Sequence, residues 1–199
     1  ALSTSVGSPP AQPRLLFQMR VGASHGMLGV RQIVNIQELQ AAVAADPLAS
    51  GSVRFVVMEK LTLLEQYTLI SSSQSLAGVH GQGLAWSMLL SAAPDWRSTC
   101  LEIIGRWPSF SRKDYYSTSH ANGVRYLRLV QDNAPECETR CKWCNYRSCG
   151  NLTVNVSTVV LTLRQMLRRL TSPKRPRVRG LKYEKAIYAK DHADEVEEA

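Results

Sequence analysis

The sequence lacks a long apolar run, a recognisable leader and any internal repeat. No stretch approaches the roughly 18–20 consecutive apolar residues that a membrane-spanning helix needs, so we expect no membrane span. No basic segment followed by an apolar run stands at its start, so no signal peptide is predicted there. The 199 residues, 44% of them apolar, are typical of one globular domain, or one and a half, with a sizeable core.

Acidic residues are scarce in one segment in particular. Ten lysines and arginines lie between Arg164 and Lys190 beside a single acid, Glu184, which gives this segment a charge of +9. Because the whole chain carries +8, the remaining residues together carry −1. A nucleic-acid-binding domain carries its positive charge on the folded face. This distribution therefore argues against a nucleic-acid partner.

Composition divides the chain into three segments. Residues 1–13 are rich in serine, proline and glycine, and we expect a linker or a disordered end there. Residues 14–170 alternate between strand and helix patterns and form the predicted folded lobe, with a cysteine-rich insert at 137–149. Residues 171–199 form a charged tail, which we expect to be solvated and mobile.

The alternating patterns predict an α/β fold with a Rossmann-like parallel sheet and a C-terminal amphipathic helix. An aromatic-rich loop is expected over 107–116 and an edge strand at 124–129. The first helix is expected to begin at Asn35, with Glu38 completing a capping box. The predicted strands are 14–20, 53–58, 75–79 and 101–104, and the predicted helices are 36–45, 63–69, 84–90 and about 157–170.

A glycine turn between a strand and a helix is the most informative stretch. Residues 75–79 are small and apolar, residues 80–83 (His-Gly-Gln-Gly) break the pattern, and residues 84–90 resume it at helical spacing. Backbone N–H groups and a helix N-terminus face an anion in such an arrangement. Glycine also lets a ligand approach the main chain closely. The stretch predicts a phosphate- or nucleotide-binding turn with His80 as a donor, or alternatively a tight turn with a core-facing histidine.

Three short motifs resemble glycosyltransferase family 61. They are Glu65–Gln66, the segment 80–84 (His-Gly-Gln-Gly-Leu) and the segment 101–103 (Leu-Glu-Ile). The family includes protein O-linked N-acetylglucosaminyltransferases of the endoplasmic reticulum and plant β-xylosyltransferases of the Golgi. Where this chain has Gln82, the family usually has a small residue. The resemblance covers about 14–170 and implies the C-terminal, donor-binding lobe of a two-lobed GT-B enzyme.

The resemblance also implies an activity. The enzyme would transfer a sugar from a nucleotide sugar, UDP-GlcNAc or UDP-xylose, to a glycan or protein hydroxyl with inversion at the anomeric carbon. No cofactor is implied, and no metal, which agrees with the lack of an Asp-x-Asp pair to hold a cation. The catalytic residues stay unassigned, because the general base could belong to the other lobe. The implied location is the lumen of the Golgi or endoplasmic reticulum.

The donor-binding residues are expected on the same motifs. Arg20 and Arg31 align with family arginines and would neutralise a diphosphate, although solvated arginines are the alternative. Gln66 would bind a base or ribose edge, or only begin a helix. Glu102, expected at a carboxyl strand end, would accept from ribose hydroxyls or form a surface ion pair. The full set is Arg20, Arg31, Gln66, His80, Gly81, Gly83, Leu84 and Glu102.

Four cysteines lie within residues 137–149, at a spacing that also fits a zinc knuckle. Two N-glycosylation sequons follow them directly, and such sequons matter only in the oxidising secretory route. Together with the family resemblance they favour disulfides, whose pairing stays open. The fifth cysteine, Cys100, is expected to be buried. The residues concerned are Cys137, Cys141, Cys144, Cys149, Asn151 and Asn155.

Two other classes of protein remain as alternatives. One is a non-catalytic nucleotide-binding module that keeps the fold, for which Gln82 is the only indication. The other is an RNA-binding protein that uses the cysteines as a zinc knuckle and the segment 164–190 for phosphate contacts.

Overall fold

The computed structural model describes residues 14–20, 31–90, 97–105, 114–133 and 151–171. Six strands, four α-helices and two 3₁₀ segments lie within these ranges. In chain order they are β1 (Leu15–Met19), α1 (Ile36–Ala45), β2 (Val53–Val57), a 3₁₀ turn (Met58–Lys60), α2 (Leu63–Ser71), β3 (Ser75–Val79), a 3₁₀ helix (Gln82–Leu89), β4 (Thr99–Gly105), α3 (Asp114–Ala121), β5 (Arg125–Asn133), β6 (Leu152–Thr153) and α4 (Val156–Thr171).

The described strands form one sheet in the order β2-β1-β3-β4-β5-β6. The first five are parallel: Phe17 of β1, for example, pairs with Phe55 of β2 and with Ala77 of β3. The short strand β6 is antiparallel to β5. A 2-1-3-4-5 order is one of the two common orders of doubly wound sheets. The predicted α/β class with a mainly parallel sheet is therefore confirmed.

Helices cover both faces of the sheet, which explains why its central strands are buried throughout and mostly apolar. Every residue of β3 and β4 is buried, as expected for strands of a parallel sheet with two covered faces. One core cluster joins the sheet to α1 and α4. A second cluster joins the opposite face to α2, the 3₁₀ helix and α3. The two layers of helices hold the sheet between them and so fix the positions of the residues at the ends of its strands.

The C-terminal helix α4 follows its predicted apolar stripe. Asn155 begins it, because the Asn155 side-chain oxygen accepts from the Thr158 backbone N–H at 3.0 Å. The helix presents five apolar residues to the sheet, and all are at most 9% exposed. They are Val159, Leu163, Met166, Leu167 and Leu170. No helix in the described part of the chain combines the length and the apolar character that a bilayer span requires.

Leu163→Ala is expected to lower the free energy of unfolding by about 2–5 kcal/mol, because the change leaves a cavity in the core between α4 and the sheet. Leu163 is 0% exposed. Leu161 lies on the same helix and is 51% exposed, so Leu161→Ala is the matched control. Urea unfolding of both variants measures the difference. Equal losses of unfolding free energy in Leu163→Ala and Leu161→Ala would contradict the packing of α4 described above.

The predicted edge strand at 124–129 forms the first part of β5, which runs on to residue 133. Residues 125–131 pair with β4, whereas β6 pairs only with Asp132 and Asn133. Among the described residues, the side of 125–129 that faces away from β4 is therefore an edge of the sheet, as predicted. The alternation of this segment arises because Leu127 and Leu129 enter the core cluster shared with α4, while Tyr126 contacts a buried carboxylate on the other face.

Two local predictions need correction. Asn35 does begin α1, but it makes no capping bond to that helix; its side chain instead binds both backbone groups of Val154, at 2.9 and 3.0 Å. A capping box is found at Thr62 and Glu65, at the start of α2. The predicted aromatic loop at 107–116 ends inside α3, which begins at residue 114. Its residues 107–113, the cysteine insert and the tail from residue 172 lie outside the described ranges.

Candidate functional site

The candidate site lies at the carboxyl ends of β1 and β3. The chain passes from β1 to β2 on one side of β1 and later returns as β3 on its other side. The connections that follow β1 and β3 therefore diverge to opposite faces of the sheet and leave a crevice between them. Arg20 follows β1 directly, and residues 80–83 follow β3. Ligands of doubly wound proteins bind in such a crevice.

Arg20 lies directly against the glycine turn. A Cβ atom added at Gly81 would fall 2.4 Å from Nη2 of Arg20 and 2.8 Å from its Cζ. Real Cβ atoms do not approach other atoms so closely, so a side chain at this position would displace the guanidinium. The guanidinium of Arg20 thus packs against the main chain of the turn.

Arg31 reaches the same turn from a different segment. Its Nη1 donates a hydrogen bond of 2.8 Å to the main-chain oxygen of His80. Arg20 and Arg31 are both half-buried. The structure therefore brings both predicted arginines to His80 and Gly81. The arrangement places two guanidinium groups at one turn, where they can bind an anion with charge-assisted hydrogen bonds.

The second glycine of the turn packs against protein. A Cβ atom at Gly83 would lie 1.9 Å from Nε2 and 2.3 Å from Oε1 of Gln18. Gln18 belongs to β1 and is 7% exposed. Sequence reasoning predicted that Gly83 would let a ligand approach, but this side of the glycine is filled by the Gln18 amide. Gln18 was not predicted as part of the site.

The helix after the turn is a 3₁₀ helix and not the predicted α-helix. Its buried residues Leu84 and Ser87, and Leu90 directly after it, are spaced by three, which matches the three residues per turn of a 3₁₀ helix. The N–H of Leu84, expected to bind the diphosphate, donates to the Gly81 carbonyl at 2.9 Å. An anion at this turn would therefore depend more on the two arginines than on that helix.

His80 is buried and its ring is tied to Glu102. Nδ1 of His80 contacts Oε1 of Glu102, and the two side chains are 7% and 4% exposed. The ring of Tyr115 on α3 lies edge-on to the imidazole, with 5.3 Å between the ring centroids. The ring of His80 is therefore buried, in agreement with the alternative prediction of a core-facing histidine. The main-chain oxygen of His80 belongs to the turn and accepts from Arg31.

Two residues of β5 hold the other oxygen of the Glu102 carboxylate. The Tyr126 hydroxyl donates to Oε2, and Nε of Arg128 lies 3.8 Å from the same oxygen. Burial, followed by the charge of Glu102, raises the pKa of the Tyr126 phenol far above its usual range, so Tyr126 remains a protonated donor. The side chains of Tyr126 and Arg128, which are half-buried, thus extend the buried pair of His80 and Glu102 into one polar network.

The predicted position of Glu102 at the end of its strand is wrong. Glu102 is the fourth of seven residues of β4, where it pairs with Gly78 on one side and Arg128 on the other. It is 3% exposed. A carboxylate placed there and bound by three side chains does not present itself to ribose hydroxyls or form a surface ion pair.

Gln66 likewise makes contacts within the protein. Its Nε2 donates to the main-chain oxygens of Met58 and Leu61, both at 3.0 Å. These bonds fix the 3₁₀ turn between β2 and α2. Gln66 itself lies in α2. Its amide nitrogen is bound to the connection that follows the carboxyl end of β2.

Sequence reasoning missed Tyr126 and Arg128. Both are polar residues at alternate positions of β5, and the parallel register sets Arg128 opposite Glu102 and Tyr126 opposite Cys100. The alternation of polar residues with Leu127 and Leu129 was visible in the sequence. The strand register that brings Tyr126 and Arg128 to Glu102 could not be predicted from the sequence.

The remaining chemically active residues lie elsewhere. Cys100 is buried as predicted, and burial raises the pKa of its thiol to about 12. Within the described ranges, no group of three or more histidine, cysteine or acidic side chains is arranged to hold a metal ion. Of the two sequon residues, Asn151 accepts from the Gln32 N–H at 3.1 Å and Asn155 is exposed at the start of α4. The four cysteines of the insert lie outside these ranges.

The fold and the site define an α/β protein with an arginine-lined glycine turn at the switch point of a doubly wound sheet. Searches of protein-family models and of curated protein sequences found no match to this chain. The resemblance to glycosyltransferase family 61 therefore stays a prediction that rests on its three motifs.

Proposed function

We propose that this chain is the donor-binding lobe of a glycosyltransferase and that it holds the diphosphate of a nucleotide sugar at residues 80–83. The observation that carries the proposal is the convergence of Arg20 and Arg31 on this turn. The two residues are separated by a ten-residue segment, yet both contact the same stretch of main chain. The turn also lies in the crevice where doubly wound sheets bind ligands.

The chemistry of sugar transfer explains why two arginines suit this place. When the bond between the sugar and the diphosphate breaks, its electron pair leaves with the diphosphate and negative charge develops on the phosphate oxygens. Fixed guanidinium groups stabilise that charge more in the transition state than in the ground state. Their planar forks match phosphate oxygens, which a lysine does not do.

The wider proposal follows the family resemblance. The intact enzyme has a GT-B architecture and transfers a sugar with inversion from UDP-GlcNAc or UDP-xylose to a glycan or protein hydroxyl. A second lobe contributes to the acceptor site, and the enzyme works in the Golgi or endoplasmic reticulum. Arg20 and Arg31 provide positive charge for the diphosphate, and no cofactor takes part in the transfer.

Calorimetric titration of the full chain with UDP, in the presence and absence of EDTA, tests the proposal. We expect UDP to bind with the same affinity in both conditions. Uridine is expected to bind at least about tenfold more weakly, since a charge-assisted hydrogen bond contributes about 1.5–3 kcal/mol. Equal affinity for UDP and uridine would contradict a diphosphate site. So would an absence of UDP binding in a chain that melts cooperatively.

A further inference from the structure

The side-chain amide of Gln18 lies against the turn of the candidate site. A Cβ atom added at Gly83 would fall 1.9 Å from Nε2 and 2.3 Å from Oε1 of Gln18, so both polar atoms of the amide lie next to this glycine. Gly78 of β3 leaves room for the same side chain, because a Cβ atom there would fall 3.3 Å from the Cβ of Gln18. Two glycines therefore make the space that the Gln18 side chain occupies.

The amide of Gln18 is buried without a hydrogen bond to the described part of the chain. The residue is 7% exposed. In the described ranges, no group donates to Oε1 of Gln18 or accepts from its Nε2. Burial of an amide without a hydrogen bond is unfavourable, and buried polar side chains nearly always have a partner. The Gln18 amide is therefore a place where a ligand gains hydrogen bonds.

The two residues that were predicted to bind the nucleoside already have protein partners. Nε2 of Gln66 donates to two main-chain oxygens of its own connection. The Glu102 carboxylate is contacted by three side chains within the sheet. Gln18 differs from both, because its amide lies at the turn itself and none of the described residues hydrogen-bonds to it.

Gln18 and Arg20 lie on the same face of the sheet, because side chains two residues apart on a strand share a face. The 3₁₀ helix covers that face, since Leu16 of β1 and Leu84 of the helix belong to one core cluster. Two residues of a strand span about 6–7 Å. With the diphosphate at Arg20, the groups bonded directly to the diphosphate are therefore the parts of the ligand nearest to Gln18.

The chemistry of the amide selects among those groups. A glutamine side chain offers a donor and an acceptor together, whereas ionised phosphate oxygens only accept. Hydroxyl groups donate and accept, so a pair of hydroxyls satisfies both Nε2 and Oε1. In a nucleotide sugar, the ribose and the transferred sugar carry such hydroxyls and are both bonded to the diphosphate. The uracil base is one ring further away.

We propose that Gln18 is a specificity-determining residue that binds hydroxyl groups of a sugar attached to the diphosphate, either the ribose or the transferred sugar. This inference rests on the proposed function. The Nε2–H group donates to one hydroxyl oxygen, and Oε1 accepts from a hydroxyl. Only hydrogen bonds form on binding, and no covalent bond changes.

Gln18→Met tests the inference, because methionine is similar in length and has no amide. Calorimetric titration of the full chain gives the Kd for UDP, for dideoxy-UDP (which lacks the ribose hydroxyls), for UDP-GlcNAc and UDP-xylose, and for inorganic pyrophosphate. Pyrophosphate has the diphosphate but no sugar, so its Kd should stay within about twofold of the wild-type value. Binding of the ligand whose hydroxyls contact Gln18 should weaken by about five- to twentyfold.

The set of ligands distinguishes the two sources of the hydroxyls. With the ribose at Gln18, the wild type binds UDP about five- to twentyfold more tightly than dideoxy-UDP, and Gln18→Met binds the two with equal affinity. With the transferred sugar at Gln18, the wild type prefers one of the UDP-sugars to UDP by a similar factor, and the variant loses that preference.

Gln18→Asn serves as a second variant should Gln18→Met melt without cooperativity. It keeps the amide but withdraws it by one methylene group, so we expect it to lose the same preference. Gln165 is exposed on α4, on the opposite face of the sheet. The matched control Gln165→Met should keep every Kd within about twofold of the wild type.

The outcomes separate this inference from the function beneath it. If UDP binds and Gln18→Met changes no Kd, the inference is overturned and the donor site stands. Equal weakening of pyrophosphate and UDP would overturn it too, because the amide would then act on the diphosphate. So would an equal loss for all the uridine ligands but not for pyrophosphate, which would place the contact at the base. An absence of binding by both UDP and pyrophosphate would remove the donor site, and the inference with it.

Discussion

Arg31→Ala is expected to weaken UDP binding by about 10- to 100-fold, since it removes a charge-assisted hydrogen-bond donor from the proposed diphosphate site. It also releases the main-chain oxygen of His80, which Arg31 holds at 2.8 Å. Arg31→Lys keeps the charge but not the planar fork, so we expect an intermediate loss. Calorimetric titration with UDP measures the Kd of the wild type and of both Arg31 variants at the same salt concentration.

Arg54→Ala is the matched control for the loss of one positive charge. Arg54 is exposed on β2, and we expect its removal to change the Kd for UDP by less than about twofold. Gly81→Ala tests the role of Arg20 without removing any charge, because the added Cβ displaces the Arg20 guanidinium from the turn. Equal losses in Arg31→Ala and Arg54→Ala would show that binding depends on overall charge and not on this site.

Glu102→Ala is expected to lower the free energy of unfolding by about 3–5 kcal/mol, because it breaks a buried ionic network and leaves its partners unpaired. The residue is 3% exposed and is contacted by His80, Tyr126 and Arg128. Removal of a buried charge partner is more harmful than replacement of the whole pair by apolar groups. Urea unfolding followed by circular dichroism measures the change.

Glu59→Ala provides the comparison for Glu102. Glu59 is exposed in the 3₁₀ turn after β2, and its replacement is expected to leave the urea midpoint nearly unchanged. The urea midpoint of Glu102→Gln should lie between those of Glu59→Ala and Glu102→Ala, because the glutamine amide retains a contact with one of the partners of Glu102. A Glu102→Ala protein as stable as the wild type would mean that the network contributes nothing to the fold.

Local patterns in the sequence were sufficient to predict several elements. The strand at 75–79 and the helix at 36–45 have the bounds that were expected. Both depend on neighbouring residues alone: a short small apolar run in one case, and a helical apolar stripe after asparagine in the other. Arg20, Arg31 and the turn were predicted as donor-binding residues from motifs, and the structure brings them close together.

The rest of the site depends on strand register, which one sequence does not reveal. Glu102 was expected to face a ligand, but the pairing of β4 with β5 sets it opposite Arg128 and close to Tyr126. Likewise, Gln18 fills the side of Gly83 only because β1 and β3 are neighbours in the sheet. These contacts join residues from different strands, whereas the predictions relied on spacing within single segments.

The order of the strands has a consequence for how the chain folds as the ribosome releases it. The strand β1 emerges first and is paired by β2 on one side and β3 on the other, so half of the sheet is complete by residue 79. Each later strand, from β4 to β6, then adds to the one edge left by its predecessor. No strand in the described part of the chain has to insert between two that are already paired. The strand order is therefore compatible with a sheet that is extended at its edges in the order of synthesis.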